Sequence, residues 1–489
     1  MLLDSGAYFA AAKAAMKKAK RSIHLLGWAF DPLTRLEPNE RGEGPDSDQV
    51  GPFLNKLVAE RPELDIRVLI WKSALPIAAS QHFFPHRARK CFEHTGVKFA
   101  LDPTVPFGAC HHQKVLVIDD EIAFCGGGDI GADRWDSSAH LDIDLRRLMP
   151  WGNVHAPRHE VMMLVDGPAA AALGELARQR WRTATGDDVP PPLVKTGEDP
   201  WPDRLRPDIT EATVGIARTM PDWRDQIGIR ENERLHLTAI AAARWLIYLE
   251  NQYVTSPVYA DALAARLAEK DGPEVVIVST ARAPSWFDHM TMDRTRSVFL
   301  RTLMAADKYG RFHAYCPHTP KGETILVHSK VSIIDDRFLR AGSTNLNNRS
   351  AGFDTECDLA IDAETDEHKV GIHRFRSRLI AHFLARSPDA FEEAFVRAGS
   401  LSGAIEALDV GPNPRLRALR PAGLGPLATL IAAFHLGDPA DPSDSLRPWR
   451  RAQELGRERR AFLHDIEGAA EQQMIERRRK GSPRRKEPV

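Results

Sequence analysis

At 489 residues the chain is too long for one ordinary core and has room for two or three domains. With 66 Lys and Arg against 67 Asp and Glu, a net charge of -1, it lacks the cationic excess that a strong sequence-independent grip on nucleic acid requires, although a local basic patch stays open. The five cysteines (Cys91, Cys110, Cys125, Cys316, Cys357) are scattered and form no C-x-x-C pair, which excludes a disulfide-held scaffold and leads us to expect reduced, buried thiols in a cytoplasmic protein.

The N-terminal stretch MLLDSGAYFAAAKAAMKKAKRS is interrupted by Asp4 and has no basic segment ahead of its apolar run, so it does not read as a secretory signal. Strand-like runs follow in KRSIHLLGW (from Lys20) and LDIRVLIW (from Leu64), and an aromatic-bearing stretch, WKSALPIAASQHFFPH, comes after the second. The segment HQKVLVIDDEIAFCGGGD runs from His112 to Asp129, and EVMMLVD from Glu160 closes this part of the chain. Next comes GDDVPPPLVKTGEDPWPDRLRPD (Gly186 to Asp208), whose proline and charge density predict a linker.

The same series then begins again. RWLIYLENQ (from Arg244), EVVIVST (from Glu274), an aromatic stretch RAPSWFDHMTM, the segment HSKVSIIDDRFLRAGSTN (His328 to Asn345) and ECDLAID (from Glu356) each parallel an earlier piece. Whole domains are duplicated, and strand-length runs alternating with helix-length runs such as YADALAARLAEK predict α/β layering in both. The expected division is a first domain over 1–185, a linker over 186–208, a second domain over 209–398, and a helical extension with a basic tail over 399–489. The apolar run Leu424 to Leu436 contains Pro426 and reads as a buried helix. Nothing reaches the roughly 18 uninterrupted apolar residues of a membrane span, so any membrane contact is expected to be peripheral. The Arg477 to Lys486 tail is expected to be frayed and solvated, with a charge that would favour anionic lipid.

In each repeated H-x-K-x4-D motif the histidine and lysine are two residues apart and share a face of an extended segment. One such pair would read more simply as a half-buried histidine beside an exposed lysine. Two copies with matching Asp, Gly and Asp/Asn positions point instead to chemistry on an anionic phosphodiester. One imidazole attacks phosphorus, the other protonates the leaving oxygen, and Lys114 and Lys330 neutralise the non-bridging oxygens. Such a site is complete without a metal, no cofactor is expected, and His82, His86, His111, His289 and His318 form no H-E-x-x-H or other metal spacing. Asp119 and Asp335, at the far ends of the strands, read as orienting members of the motif. Gly126, Gly127 and Gly342 allow close backbone approach.

Over about Ala11 to Phe383 the chain resembles the phospholipase D superfamily, whose signature H-x-K-x4-D-x6-G-[GS]-x-[ND] occurs twice. The resemblance implies two α/β/α sandwich domains with a single active site at their interface. It implies His112 as the nucleophile that forms a phosphohistidine, and His328 as a general acid that begins protonated. Lys114, Lys330 and Asn345 would hold phosphate oxygens, with Asp129 supporting. Glu356, behind GSTNLNNRS, would orient His112 across the interface, and Glu160 would orient His328. GGGDIGADRWD, PRHEVMMLVDGPAA and IYLENQY resemble the eukaryotic-type, phosphatidylcholine-cleaving branch, with Arg158 in place of its tryptophan and Glu160 in place of its aspartate. No C2, PX or PH-like module is seen ahead of the motifs.

The implied activity is hydrolysis of the distal phosphodiester bond of a phospholipid, with transfer to alcohols as an allied reaction. The alternatives are a cardiolipin synthase-type phosphatidyltransferase, a nuclease or tyrosyl-DNA phosphodiesterase-like enzyme, which the near-neutral charge disfavours, and a non-catalytic lipid-binding scaffold, which the intact motifs disfavour. Both half-sites lie in one chain, so a monomer should suffice. The two aromatic stretches are read either as pocket rims for acyl chains or as ordinary core.

Overall fold

In the computed structural model, which describes residues 1–42, 48–73, 84–192, 200–283, 285–423, 435 and 437–442, the duplication becomes two sheets. The strands, in chain order, are β1 (Leu2–Leu3), β2 (Ser22–Gly27), β3 (Asp65–Trp71), β4 (Lys98–Asp102), β5 (Val115–Ile118), β6 (Ile122–Gly126), β7 (Arg158–His159), β8 (Val161–Asp166), β9 (Gly215–Met220), β10 (Ile229–Arg230), β11 (Leu246–Glu250), β12 (Glu274–Val278), β13 (Phe312–Pro317), β14 (Leu326–Val327), β15 (Val331–Ile334), β16 (Phe338–Gly342), β17 (Glu356–Asp362) and β18 (Leu416–Ala418). The first sheet has the order β1-β8-β6-β5-β2-β3-β4, and the second β10-β9-β17-β16-β15-β11-β12-β13-β18. Their inner six strands correspond one to one. β2-β3-β4 and β11-β12-β13 are parallel, and the motif hairpins and closing strands are antiparallel.

Alternation along the strands explains the layering. In β5, Leu116 and Ile118 face a core shared with the helix Asp4–Lys18 and the helix Val50–Glu60, whereas Val115 and Val117 face the opposite way. In β11, Ile247 and Leu249 face the helix Pro257–Ala268, and Leu246 and Tyr248 face the other side. The inward sets of both sheets, with the helices Gly167–Thr185 and Asp366–Phe383, merge into one buried cluster. The two repeats therefore share a central apolar layer, each covered by helices on its outer face.

Two departures from the expected division stand out. The segment after Gly399 contains the helix Leu401–Leu408, as expected, but then adds β18 antiparallel to β13 at the edge of the second sheet. Three residues are too short to leave an alternation signal, and the turn into them depends on the Asp409 carboxylate accepting from the amides of Arg415 and Leu416, both at 2.7 Å. The described part of the linker is fastened down: Trp201 and Leu205 pack on the first core, and Lys18 donates to the Trp201 carbonyl at 2.8 Å. Most of the first aromatic stretch, the run Leu424 to Leu436 apart from His435, and the basic tail lie outside the described residues, as do Pro284 and the side chains of Trp286 and Phe287 in the second aromatic stretch.

The motif aspartates act on the backbone. Asp119 and Asp120 both have φ 56°, and Asp335 and Asp336 have φ 55° and 47°, so both hairpins turn through the left-handed region. Asp119 accepts from three consecutive amides, Lys20, Arg21 and Ser22, all at 2.7 Å. Asp335 does the same for Arg244, Trp245 and Leu246 at 2.7–2.9 Å. Each carboxylate thus ties the hairpin to the start of the neighbouring strand. Removing it leaves three amides without their acceptor, so Asp119→Ala should lower unfolding free energy by about 2–4 kcal/mol, and Asp335→Ala, which is less buried, by less. Denaturant titration checks this, and an unchanged midpoint in both variants would eliminate the tethering role.

Candidate active site

The site forms because each repeat lends its neighbour a strand. The segment entering the second motif, β14, pairs in parallel with β7, and the amide of His328 donates to the His159 carbonyl at 2.8 Å. The first motif is entered in the same way: His111 bridges Thr355 in parallel, and the amide of His112 donates to the Thr355 carbonyl at 2.9 Å. The residue after each pairing partner is the acid at the head of the closing strand. Each glutamate therefore arrives beside the histidine of the other repeat.

His112 Nδ1 lies 2.9 Å from Glu356 Oε2 in a hydrogen bond. The Glu356 carboxyl also accepts from the Ser343 hydroxyl at the same Oε2 and from the Ser350 hydroxyl at Oε1, the latter at 2.5 Å. His328 Nδ1 lies 3.1 Å from Glu160 Oε1, but its ring is not aligned for a hydrogen bond. Glu160 accepts instead from Ser5 Oγ at 3.0 Å and Arg158 Nη1 at 3.3 Å. The two half-sites are related by duplication and differ in how firmly the imidazole is held.

The lysines are buried, with Lys114 2% and Lys330 0% exposed. Each folds back onto the carbonyl of its own motif histidine, Lys114 Nζ to His112 O at 3.0 Å and Lys330 Nζ to His328 O at 2.6 Å. Lys330 also donates to Gln252 Oε1 at 3.3 Å, and Lys114 Nζ lies 3.4 Å from Asp129 Oδ2. Asp129 Oδ1 accepts from the amides of Trp28 and Ala29, which makes this residue a brace between the first motif and the end of β2. Asn345 is buried, and its Oδ1 has no partner among the described residues. Gly127 permits the close approach of the halves, since a Cβ there would lie 2.8 Å from the His328 carbonyl oxygen.

Burial, reinforced by Lys114 and Lys330, holds His112 well below the ordinary imidazole pKa. Burial with Lys330, Arg158, Arg134 and Lys114 does the same to His328. Burial also lowers Lys330, with Lys114 adding to the effect, and raises the Glu356 carboxyl despite its two serine donors. Burial and the neighbouring cations disfavour the charged form of His328, and a bound anion would offset them. The arrangement is an enclosed cationic site with two imidazoles, suited to an anionic ester.

Sequence reading gave no site role to Arg134, Arg158, Gln252, Ser5, Ser343 or Ser350. Arg158 was legible in principle, because in an extended segment it shares a face with Glu160 two residues on. Ser5 was not, since it meets Glu160 only through the pairing of β1 with β8.

A family profile described as "Cardiolipin synthase, PLD-like domain" matches residues 237–377. Phospholipase D A of Dictyostelium discoideum is 25% identical over 457 residues, covering 79% of this chain and 35% of that protein. Phospholipase D alpha 1 of Nicotiana tabacum is 23% identical over 516 residues, covering 77% and 64%. Phospholipase D1 of Saccharomyces cerevisiae is 24% identical over 456 residues, covering 74% and 26%. The chain thus spans between about a quarter and two thirds of the length of these relatives. The crystal structure of phosphatidylserine synthase from Haemophilus influenzae shares the fold, with a TM-score of 0.54 at 13% identity over 83% of this chain and 94% of that one. The chain is thus similar to phospholipase D proteins over 74–79% of its length, and its residues 237–377 match a PLD-like domain profile.

Proposed function

We propose that the chain is a phospholipase D-type phosphodiesterase that cleaves the distal phosphodiester bond of glycerophospholipids to phosphatidic acid and the free head-group alcohol. The observation that carries this reading is the crossed pairing of His112 with Glu356 and of His328 with Glu160 around two buried lysines. Glu356 fixes Nδ1 of His112, leaving Nε2 as the nucleophilic lone pair. Attack forms a phosphorus–nitrogen bond and breaks the bond to the head-group oxygen, which takes a proton from His328. Water then gives its proton to His328 and its oxygen to phosphorus, the phosphorus–nitrogen bond breaks, and phosphatidic acid leaves. Lys114, Lys330 and Asn345 neutralise and hold the non-bridging oxygens. Both histidines reside in one chain, so a monomer suffices.

A second reading, phosphatidyl transfer to an alcohol as in a cardiolipin synthase, is favoured by the description of the profile matching 237–377. It shares the first half-reaction and differs only in the acceptor. Mixed phospholipid vesicles with and without ethanol, with products resolved by mass spectrometry, separate the two.

Among the described residues no helix is long and apolar enough to cross a membrane. Peripheral contact has a candidate in the loop between the first motif and Glu160, where Leu141, Ile143, Leu145, Trp151 and Val154 are all exposed, Ile143 by 73%. An apolar loop of this kind suits partial insertion at a lipid surface.

Four outcomes are expected. His112→Ala and His328→Ala should each reduce turnover at least about a thousand-fold with the fold intact, and rapid alkaline quenching followed by peptide mapping should place the phosphatidyl label on His112. Label on His328 would reverse the assignment. Because both imidazoles are depressed below about 6.5, the state with His112 neutral and His328 protonated is most populated on the acid side of that value. For a short-chain soluble substrate, kcat/KM should therefore peak below about pH 6.5, whereas a peak above pH 8 would contradict the electrostatics. Finally, the double variant Ile143→Asp, Leu145→Asp should weaken vesicle binding about fivefold or more while leaving hydrolysis of the short-chain substrate intact. Unaltered vesicle binding would rule the loop out.

A further inference from the structure

Apart from the two motif histidines, three other imidazoles converge in the interior. His140, His159 and His382 meet Asp4 so that one nitrogen or oxygen of each lies within 4.8 Å of the others. Their rings are mutual neighbours, with centroids 5.9 Å apart for His140 and His159, 5.5 Å for His140 and His382, and 4.8 Å for His159 and His382. Asp4 is 1% exposed, and His140 and His159 are 0% exposed. The residues come from the head of the first helix, the loop after the first motif, β7 and the last turn of the helix Asp366–Phe383.

What singles out the cluster is the direction of its donors. His140 Nδ1 is held by Asp136 Oδ2 at 3.0 Å, His159 Nε2 by Glu250 Oε2 at 2.9 Å, and His382 Nδ1 by the Leu379 carbonyl at 2.5 Å. For His140 and His382 the acceptor at Nδ1 fixes the N–H there and leaves a lone pair on Nε2. His159 instead has a carboxylate at each nitrogen and is held protonated: against the lowering effect of burial, Glu250 and Asp4 raise its pKa to about 10. The remaining nitrogens are His140 Nε2, His159 Nδ1 and His382 Nε2, all turned toward Asp4. Of these, His140 Nε2 and His382 Nε2 are buried without a hydrogen-bond partner, as is Asp4 Oδ2. Asp4 Oδ1 meets His159 Nδ1 at 2.8 Å. Unpaired polar atoms are costly inside a protein, and three of them facing one point are an anomaly that a ligand would resolve.

We propose that Asp4, His140, His159 and His382 form a structural site for a divalent transition metal of the zinc class. Once a metal displaces the proton on His159 Nδ1, three imidazoles and one carboxylate are a donor set of borderline softness, well matched to zinc and poorly to calcium or magnesium, which take oxygen. Metal–nitrogen bonds of about 2.0–2.1 Å place tetrahedral donor atoms about 3.3 Å apart, so the cluster would contract on binding. Each imidazole already has the second hydrogen-bond partner that fixes ligand orientation in metal sites. With four protein donors the coordination is closed, and no position remains for a reacting water.

The site would act by buttressing. The Asp4 amide donates to the Glu160 carbonyl at 2.8 Å, the neighbouring Ser5 hydroxyl reaches the Glu160 carboxylate, and the His159 carbonyl receives the amides of His328 and Ser329. Through Glu250 and the helix bearing His382, the ligands also join the first repeat to the second. A metal here would clamp the two repeats next to the second half-site without touching substrate.

The test uses the full chain without a histidine tag, expressed in zinc-supplemented medium, dialysed against metal-free buffer and assayed by elemental mass spectrometry. About one zinc per chain is expected, falling to background in His140→Ala and in His382→Ala and staying at the wild-type level in His318→Ala. Since a ligand variant could simply misfold, wild-type protein stripped with chelator is also titrated with cobalt(II). An intense visible absorption typical of tetrahedral cobalt, saturating at one equivalent and accompanied by a higher melting temperature, is expected. Wild-type protein that holds less than about a tenth of an equivalent and gives no such absorption overturns the proposal, as does metal retained at full stoichiometry by both ligand variants.

Discussion

Much of this molecule follows from the fact that a buried site of imidazoles, lysines and carboxylates cannot be assembled in halves. Within one repeat, His112 would have no carboxylate for its imidazole although Lys114 has Asp129 at 3.4 Å, and Glu356 would be a buried acid with only hydroxyls for company. Burying either alone is costly, and bringing them together lets each offset the other. The central apolar layer supplies the driving force for the two repeats to pack. The crossed histidine–glutamate pairs specify the geometry in which they do so. The short parallel ladders of β14 with β7 and of His111 with Thr355 convert that requirement into backbone register.

Duplication left the halves alike in topology and unlike in detail, and the differences lie where the chemistry would need them. Glu356 is gripped by Ser343 and Ser350 and hydrogen-bonds to His112, which suits an imidazole that must hold one orientation while it attacks. Glu160 is shared with Ser5 and Arg158, and its contact with His328 is unaligned, which suits a ring that must exchange a proton twice in a cycle. Burial, reinforced by four nearby cations, disfavours the charged form of His328, so the arrival of negative charge would favour its protonation.

The parts of this arrangement that were legible in the sequence are those carried by local spacing. The doubled H-x-K-x4-D could be read because its residues are close together along the chain, and the place of Asp119 and Asp335 at the strand ends suggested an orienting part. The crossed partners Glu160 and Glu356 came from resemblance and not from spacing, since nothing local says which histidine an acid will meet. Arg134 and Ser5 were invisible for the same reason, and so was β18, too short to show a period. The cluster of Asp4, His140, His159 and His382 is the extreme case: four residues from four separated segments, with no pairwise interval that resembles a metal motif. Sequence spacing gave no role to these four residues, because tertiary folding, and not sequence proximity, brings them together.

The long reach of these contacts has a kinetic consequence. His112 and Glu356 are separated by 244 positions, and Cys110 and Asp354, which steady the same segment, by as many. Closing so large a loop is slow compared with forming either sheet's hairpins. During synthesis the first repeat can complete its local structure while its histidine still lacks the acid that will orient it. Assembly of the central site is therefore expected late in folding, and a partly made chain would carry His112 without the acid that fixes its ring.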